Sequence, residues 1–166
     1  MNIYGYCRIS TAKQSIDRQI RNIKAEYPTA HIVQEAYTGT SIFRPEWLKL
    51  YRILKSGDTV VFDSVSRMSR NAEEGFALYE DLYHKGIRLV FLKEHHIDTE
   101  TYKKALSGSI AMTGTNVDFI LKGINEYLMA LAKEQIKLVF EQSEKEVADL
   151  HQLSLIHISE PTRPIS

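Results

Sequence analysis

At 166 residues, 43% hydrophobic and 25% charged, the chain has the size and composition of one globular domain with a core of its own. Its 21 basic and 21 acidic residues cancel, so the strong basic excess usual in a free-standing nucleic-acid binder is missing and any grip on DNA is expected to lie elsewhere or to be very local. A lone cysteine, Cys7, excludes an internal disulfide and a multi-cysteine metal site. The opening "MNIYGYCR" lacks the pattern of a secretion signal and no stretch approaches roughly 18 apolar residues, so the cytoplasm is the expected compartment.

In chain order, "NIYGYCRI" has strand composition, and "SIDRQIRNIKAEY" places Ile16, Ile20, Ile23 and Tyr27 at helical spacing behind Ser15, a candidate N-cap. "HIVQEAY" reads as a second strand, "TGTS" as a loop, and "RPEWLKLYRILK" as a helix with Pro45 in its first turn. After a Ser-Gly-Asp turn come the apolar strand "TVVFDSV", the helix "NAEEGFALYEDLYHK" stopped by Gly86, and a further strand, "IRLVFL". Strands alternating with helices predict an α/β fold with a mostly parallel central sheet covered on both faces.

Beyond about residue 98 loop chemistry surrounds at most one short helix. From Val117, the apolar positions Ile120, Leu121, Ile124, Leu128, Leu131 and Val139 mark a C-terminal helix of roughly thirty residues. A helix of that length usually outruns its domain and meets a partner, although packing on its own sheet is the alternative. The expected division is a catalytic domain over 1–115, a long helix for subunit contact and DNA approach over 116–150, and a tail over 151–166. Back-translated, "LSLIHISEPTR" in that tail looks like one reading frame of a transposase-based sequencing adapter, so a non-native tail is expected, with native sequence continuing past about residue 150. A native Pro-containing linker is the alternative.

Two stretches carry chemistry. In "YCRIS", Arg8 and Ser10 are two residues apart on an extended chain and point to the same side, with Cys7 opposite as a small core residue. Ser10 alone also fits a turn or cap, and Thr11 with Gln14 has capping-box spacing. In "DSVSRMSRN", Arg67 and Arg70 leave the third strand at its carboxyl end, where open α/β sheets bind ligands, and Arg44 precedes a helix nearby. Each arginine taken singly fits a solvated charge or salt-bridge partner. Together they suit a phosphate, since guanidinium groups bind phosphate oxygens with paired donors and favour a serine alkoxide beside them. Such a set can support serine attack on a phosphodiester without a metal.

"YCRIS", "DRQ" at Asp17–Gln19 and "SRMSRN", in that order and separation, resemble the catalytic domain of serine recombinases, the resolvase and invertase family, over Met1 to about Glu146. The resemblance implies Ser10 as a nucleophile that forms a 5′-phosphoserine link to DNA, followed by strand exchange and religation. It implies Arg8, Arg67, Arg70 and Arg44 as catalytic phosphate ligands, and Gln14, Gln19, Glu35 and Glu134 as active-site support, Glu134 at the start of the long helix. It further implies double-stranded DNA as substrate, a homodimer that becomes a tetramer in the active complex, and no cofactor or metal.

Two departures accompany it. Ser66 stands where many family members have an acid, with Asp63 three residues earlier on the expected strand, and no helix-turn-helix follows the long helix. Two other readings stay open: a recombinase remnant that self-associates without cutting DNA, and a receiver-like signalling module presenting Asp63. The second needs acidic residues after the first strand, where Arg8 and Ser10 stand. His95 and His96 are adjacent and lack the companion ligands of a metal site, and "SGS" and "TGT" match no phosphate-binding loop.

Overall fold

A computed structural model describes residues 1–9, 16–36, 44–69, 71–107 and 111–159. β1 (Ile3–Arg8), β2 (His31–Glu35), β3 (Thr59–Phe62) and β4 (Arg88–Phe91) form one parallel sheet in the order β2-β1-β3-β4. Between them run α1 (Ile16–Glu26), α2 (Pro45–Ile53), the single turn α3 (Val65–Met68) and α4 (Ala72–His84). After β4 come a 3₁₀ turn at His95–Ile97, α5 (Thr99–Ser107) and α6 (Asp118–Ser159). This is the expected α/β architecture, with α5 as the one short helix.

Strand alternation sorts the side chains into two cores. Cys7, Val61 and Val90 face α1 and pack with Ile23 and Ala30. Tyr6, Val60, Phe62, Leu89 and Phe91 face the other way, onto Trp47 and Leu50 of α2, Tyr79 and Leu82 of α4, and Ile136 and Phe140 of α6. An aromatic row crosses this second core: Trp47 meets Tyr6 edge-on at 5.1 Å, Phe62 stacks on Phe91 at 5.4 Å, and Phe140 meets Phe91 edge-on at 6.3 Å. Each such ring stabilises by about 1.5–3 kcal/mol through burial.

Local chemistry ends the elements as expected at two points. Pro45 sits in the first turn of α2, where its missing N–H costs nothing. Gly86 follows α4 at φ 78°, a left-handed conformation open to glycine. Ser15, expected as the cap of α1, lies outside the described residues.

One expectation is corrected. The third strand stops at Phe62, so Asp63 lies in the turn beyond it and Val65–Met68 is helical. The cause is tertiary: the Val65 N–H donates to Glu94 Oε2 at 3.1 Å, which closes the segment into a turn. The free side of β4 is also covered by side chains, because the Leu89 and Phe91 N–H groups donate to Thr99 Oγ1 and Asp98 Oδ1. That blunts the sheet edge without a further strand.

α6 extends through Ser159, past the boundary expected near residue 150. Ile136 and Phe140 are its described residues in the core. Its first half leaves large apolar side chains exposed, with Phe119 89% and Tyr127 66% exposed beside Ile120, Leu128 and Leu131. Among the described residues no helix is long and apolar enough to cross a membrane.

Candidate active site

Arg8 closes β1 on the face of Tyr4 and Tyr6, and its backbone is gripped from both sides by Gln19 of α1. The Gln19 Nε2 group donates to the Arg8 carbonyl at 2.9 Å, and the Arg8 N–H donates to Gln19 Oε1 at 3.2 Å. Gln19 is 3% exposed, so breaking this pair would strand polar atoms away from water.

Three guanidinium groups meet at this carboxyl edge. Arg8 Nη2 donates to the Ser66 carbonyl at 2.7 Å, and Arg67 Nη1 donates back to the Arg8 carbonyl at 3.2 Å, tying β1 and α3 together. Arg44 Nη1 donates to the Met68 carbonyl at 2.6 Å, and its guanidinium lies 6.0 Å from the Tyr6 ring and 5.8 Å from that of Trp47. All three side chains are half-buried. Carbonyl oxygens orient these guanidinium groups, whose planar paired donors suit an anionic oxygen held by charge-assisted hydrogen bonds.

Glu35 ends β2 at the register position of Arg8 and is buried there. At 2% exposure it accepts from the Tyr6 hydroxyl at 3.2 Å, the Trp47 N–H at 2.9 Å and the Glu46 N–H at 3.5 Å. It therefore serves as the cap of α2, whose own N-cap residue, Arg44, makes no side-chain cap bond. Arg44 is left to reach Met68. Burial, against the pull of Arg44, holds the Tyr6 phenol far above its ordinary range, so it acts as a neutral donor.

Neither Cys7 nor Asp63 is placed to react. Burial pushes the Cys7 thiol up to about 12, with Asp63 adding to the shift and Arg67 opposing it. Asp63 is 3% exposed and accepts from Asn22 Nδ2 at 3.0 Å, with Lys93 Nζ at 3.5 Å. It staples α1 to the end of β4, which leaves no open carboxylate for a receiver-like module. Ser66, in the family's acidic position, has its hydroxyl 2.7 Å from that of Ser64.

Residues 3–137 match the family described as Resolvase, N terminal domain. The chain belongs to the resolvase family. It is 31% identical over 91 residues to the Tn21 transposon resolvase of Escherichia coli, covering 55% of this chain and 47% of that protein. With the Tn1721 resolvase, also from Escherichia coli, it is 28% identical over 134 residues, covering 79% and 70%. The chain thus spans about half the length of the first of these curated relatives. The crystal structure of a resolvase family site-specific recombinase from Streptococcus pneumoniae aligns with 92% of this chain and 99% of its own, at 19% identity and a TM-score of 0.48.

Of the residues that the resolvase resemblance singles out, Arg8, Arg67 and Arg44 come together, with Gln19 holding the first and Glu35 seating the helix of the third. Ser10, Gln14 and Arg70 lie outside the described residues. Glu134 is exposed and lies about four turns into α6. The sequence reading missed Glu94 and Glu144. Glu144 Oε2 accepts the Ala72 N–H at 3.0 Å across 72 residues of chain, and Glu94 does the same for Val65 across 29. No local pattern announces either. Among the described residues no group of three or more His, Cys, Asp or Glu side chains is placed to hold a metal ion. An open recess of about 570 Å³ at the opposite edge of the sheet, by Met1, Gly57 and Arg88, includes none of the arginine cluster.

Proposed function

We propose that this resolvase-family chain is the catalytic domain of a site-specific DNA recombinase in which Ser10 is the nucleophile. The observation that carries the reading is the knot of Arg8, Arg67 and Arg44 at the carboxyl edge of the sheet, Arg8 being two residues before Ser10 in the chain. Three donors of fixed positive charge suit a phosphodiester, whose transition state needs positioning and charge stabilisation more than proton transfer. The serine oxygen forms a bond to phosphorus as the bond to the 3′ oxygen breaks, leaving a 5′-phosphoserine link and a 3′-hydroxyl that takes up a proton. After strand exchange a 3′-hydroxyl attacks that link, restoring the phosphodiester and the serine. Bonds broken equal bonds formed, so the cycle runs without ATP. In this reading Arg70 is a further phosphate ligand.

The partners are double-stranded DNA and further copies of this chain, a dimer and then a tetramer, in the cytoplasm of a cell that carries a mobile element. Exposed Phe119, Tyr127 and Leu131 on α6 support the subunit contact.

The test joins the chain to a sequence-specific DNA-binding domain, incubates the fusion with its site, and traps covalent protein–DNA after denaturation. Protein attached to a 5′ end, and absent from Ser10→Ala, is the expected result. A folded, DNA-bound fusion that forms no adduct refutes the cleavage reading and favours a self-associating remnant.

A further inference from the structure

The segment that carries Arg67 and Arg70 is bounded by two helix starts, and each is held by a carboxylate from elsewhere in the chain. α3 is a single turn, too short to stand by its own hydrogen bonds, so tertiary contacts set its place. Its N-cap residue, Ser64, makes no side-chain cap bond; Glu94 Oε2, arriving from beyond β4, takes the Val65 N–H at 3.1 Å. At α4 the Asn71 side chain accepts from the Glu74 N–H, and Glu144 Oε2 takes the Ala72 N–H at 3.0 Å. Negative charge at a helix start interacts favourably with the exposed N–H groups, so both contacts are directional and attractive.

Both carboxylates are delivered by anchored backbone. Glu94 follows Phe91, which is fully buried, and its own N–H donates to the Phe91 carbonyl at 3.1 Å. Glu144 lies one turn beyond Phe140, which is 1% exposed and seated over Gly75 of α4. Between the two helix starts, Ser69 Oγ donates to the Asn71 carbonyl at 2.9 Å and accepts the Asn71 N–H at 3.1 Å, so the residues on either side of Arg70 are joined. Upstream, Arg67 is tied to the Arg8 carbonyl. The described residues 65–69 and 71–72 are thus held between Glu94 and Glu144.

We propose that Glu94 and Glu144 are positioning residues, two carboxylates that fix the starts of α3 and α4 and thereby set where Arg67 meets the scissile phosphate. This rests on the cleavage reaction proposed above. Neither group touches DNA; each acts through the backbone it holds, and the interaction needs an acceptor oxygen at that place more than it needs a negative charge.

The experiment uses the DNA-binding fusion with saturating site DNA and measures the single-turnover rate of covalent adduct formation. Glu94→Ala and Glu144→Ala are each expected to slow it about tenfold, equivalent to roughly 1.4 kcal/mol, with DNA affinity unchanged. Glu94→Gln and Glu144→Gln, whose amide oxygens accept the same N–H, recover most of the rate. Amide exchange at Val65 and Ala72 rises in the alanine variants and falls back in the glutamine ones, which also shows that the proteins are folded. Alanine variants that cleave at the parental rate while those amides exchange faster overturn the inference alone, as does a slowed rate that glutamine fails to recover. A parent fusion that forms no adduct refutes the cleavage reading, and the inference falls with it.

Discussion

Gly75 is the point at which α6 is seated on the domain, and replacing it with alanine sets two known effects against each other. A Cβ added at Gly75 would lie 2.7 Å from both Cδ1 and Cε1 of Phe140 and 3.1 Å from the Ser69 Cβ. The ring is not free to swing aside, since it meets Tyr79 edge-on at 6.4 Å and Phe91 edge-on at 6.3 Å. Alanine in a helix interior gains about 1 kcal/mol over glycine, whereas an extra methyl in a packed core costs typically 1–3 kcal/mol. The expected net loss for Gly75→Ala is about 1 kcal/mol, read as a lower urea midpoint at unchanged slope. Phe140→Ala alone is expected to cost about 3–5 kcal/mol. The double variant should lose less than the sum, because the new methyl occupies room the ring vacated, with a coupling of at least about 0.5 kcal/mol. A Gly75→Ala protein stabilised by the full helix gain, or strictly additive losses, would show that Phe140 does not hold this contact.

Glu35→Ala should destabilise by about 2–3 kcal/mol, since it strands the Tyr6 hydroxyl and the first N–H groups of α2. Glu35→Gln, which keeps an acceptor, should lose clearly less in the same thermal melt; equal losses would refute the capping role. Asp58 accepts the Asn2 and Lys55 N–H groups, both at 2.9 Å, and the first of these bonds is the main cause of its lowered pKa. A carboxylate depressed by folding contributes stability above its unfolded value near pH 4 that is lost as pH falls through the folded value. Asp58→Asn is therefore expected to be about 1–2 kcal/mol less stable at pH 7, with the gap to the parent closing toward pH 2. A gap that stays constant in denaturant titrations across that range would sink the argument.

Much of the architecture is legible in the chain because its rules act over a few residues. The period of two in "IYGYCR" puts Tyr6 and Arg8 on one face and Cys7 on the other, and the structure keeps that assignment. Pro45 and Gly86 end elements through their own backbone sterics. The placing of Arg8 and Arg67 at the carboxyl edge follows from their position after strands that could only be parallel.

What the tertiary structure alone decided depends on groups distant in sequence. Whether "FDSV" continues a strand or turns into α3 is settled by Glu94, 29 residues from the N–H it holds. Glu35 reads in sequence as one more acidic residue near the site, yet the packing of β2 beside α2 makes it a buried helix cap. The apolar pattern of α6 marks a long helix without saying which turn is seated, since Phe140 finds a socket only where Gly75 leaves room. Periodicity and backbone sterics are local and survive in the written sequence, whereas a hydrogen bond across 72 residues exists only once the fold has brought its two ends together.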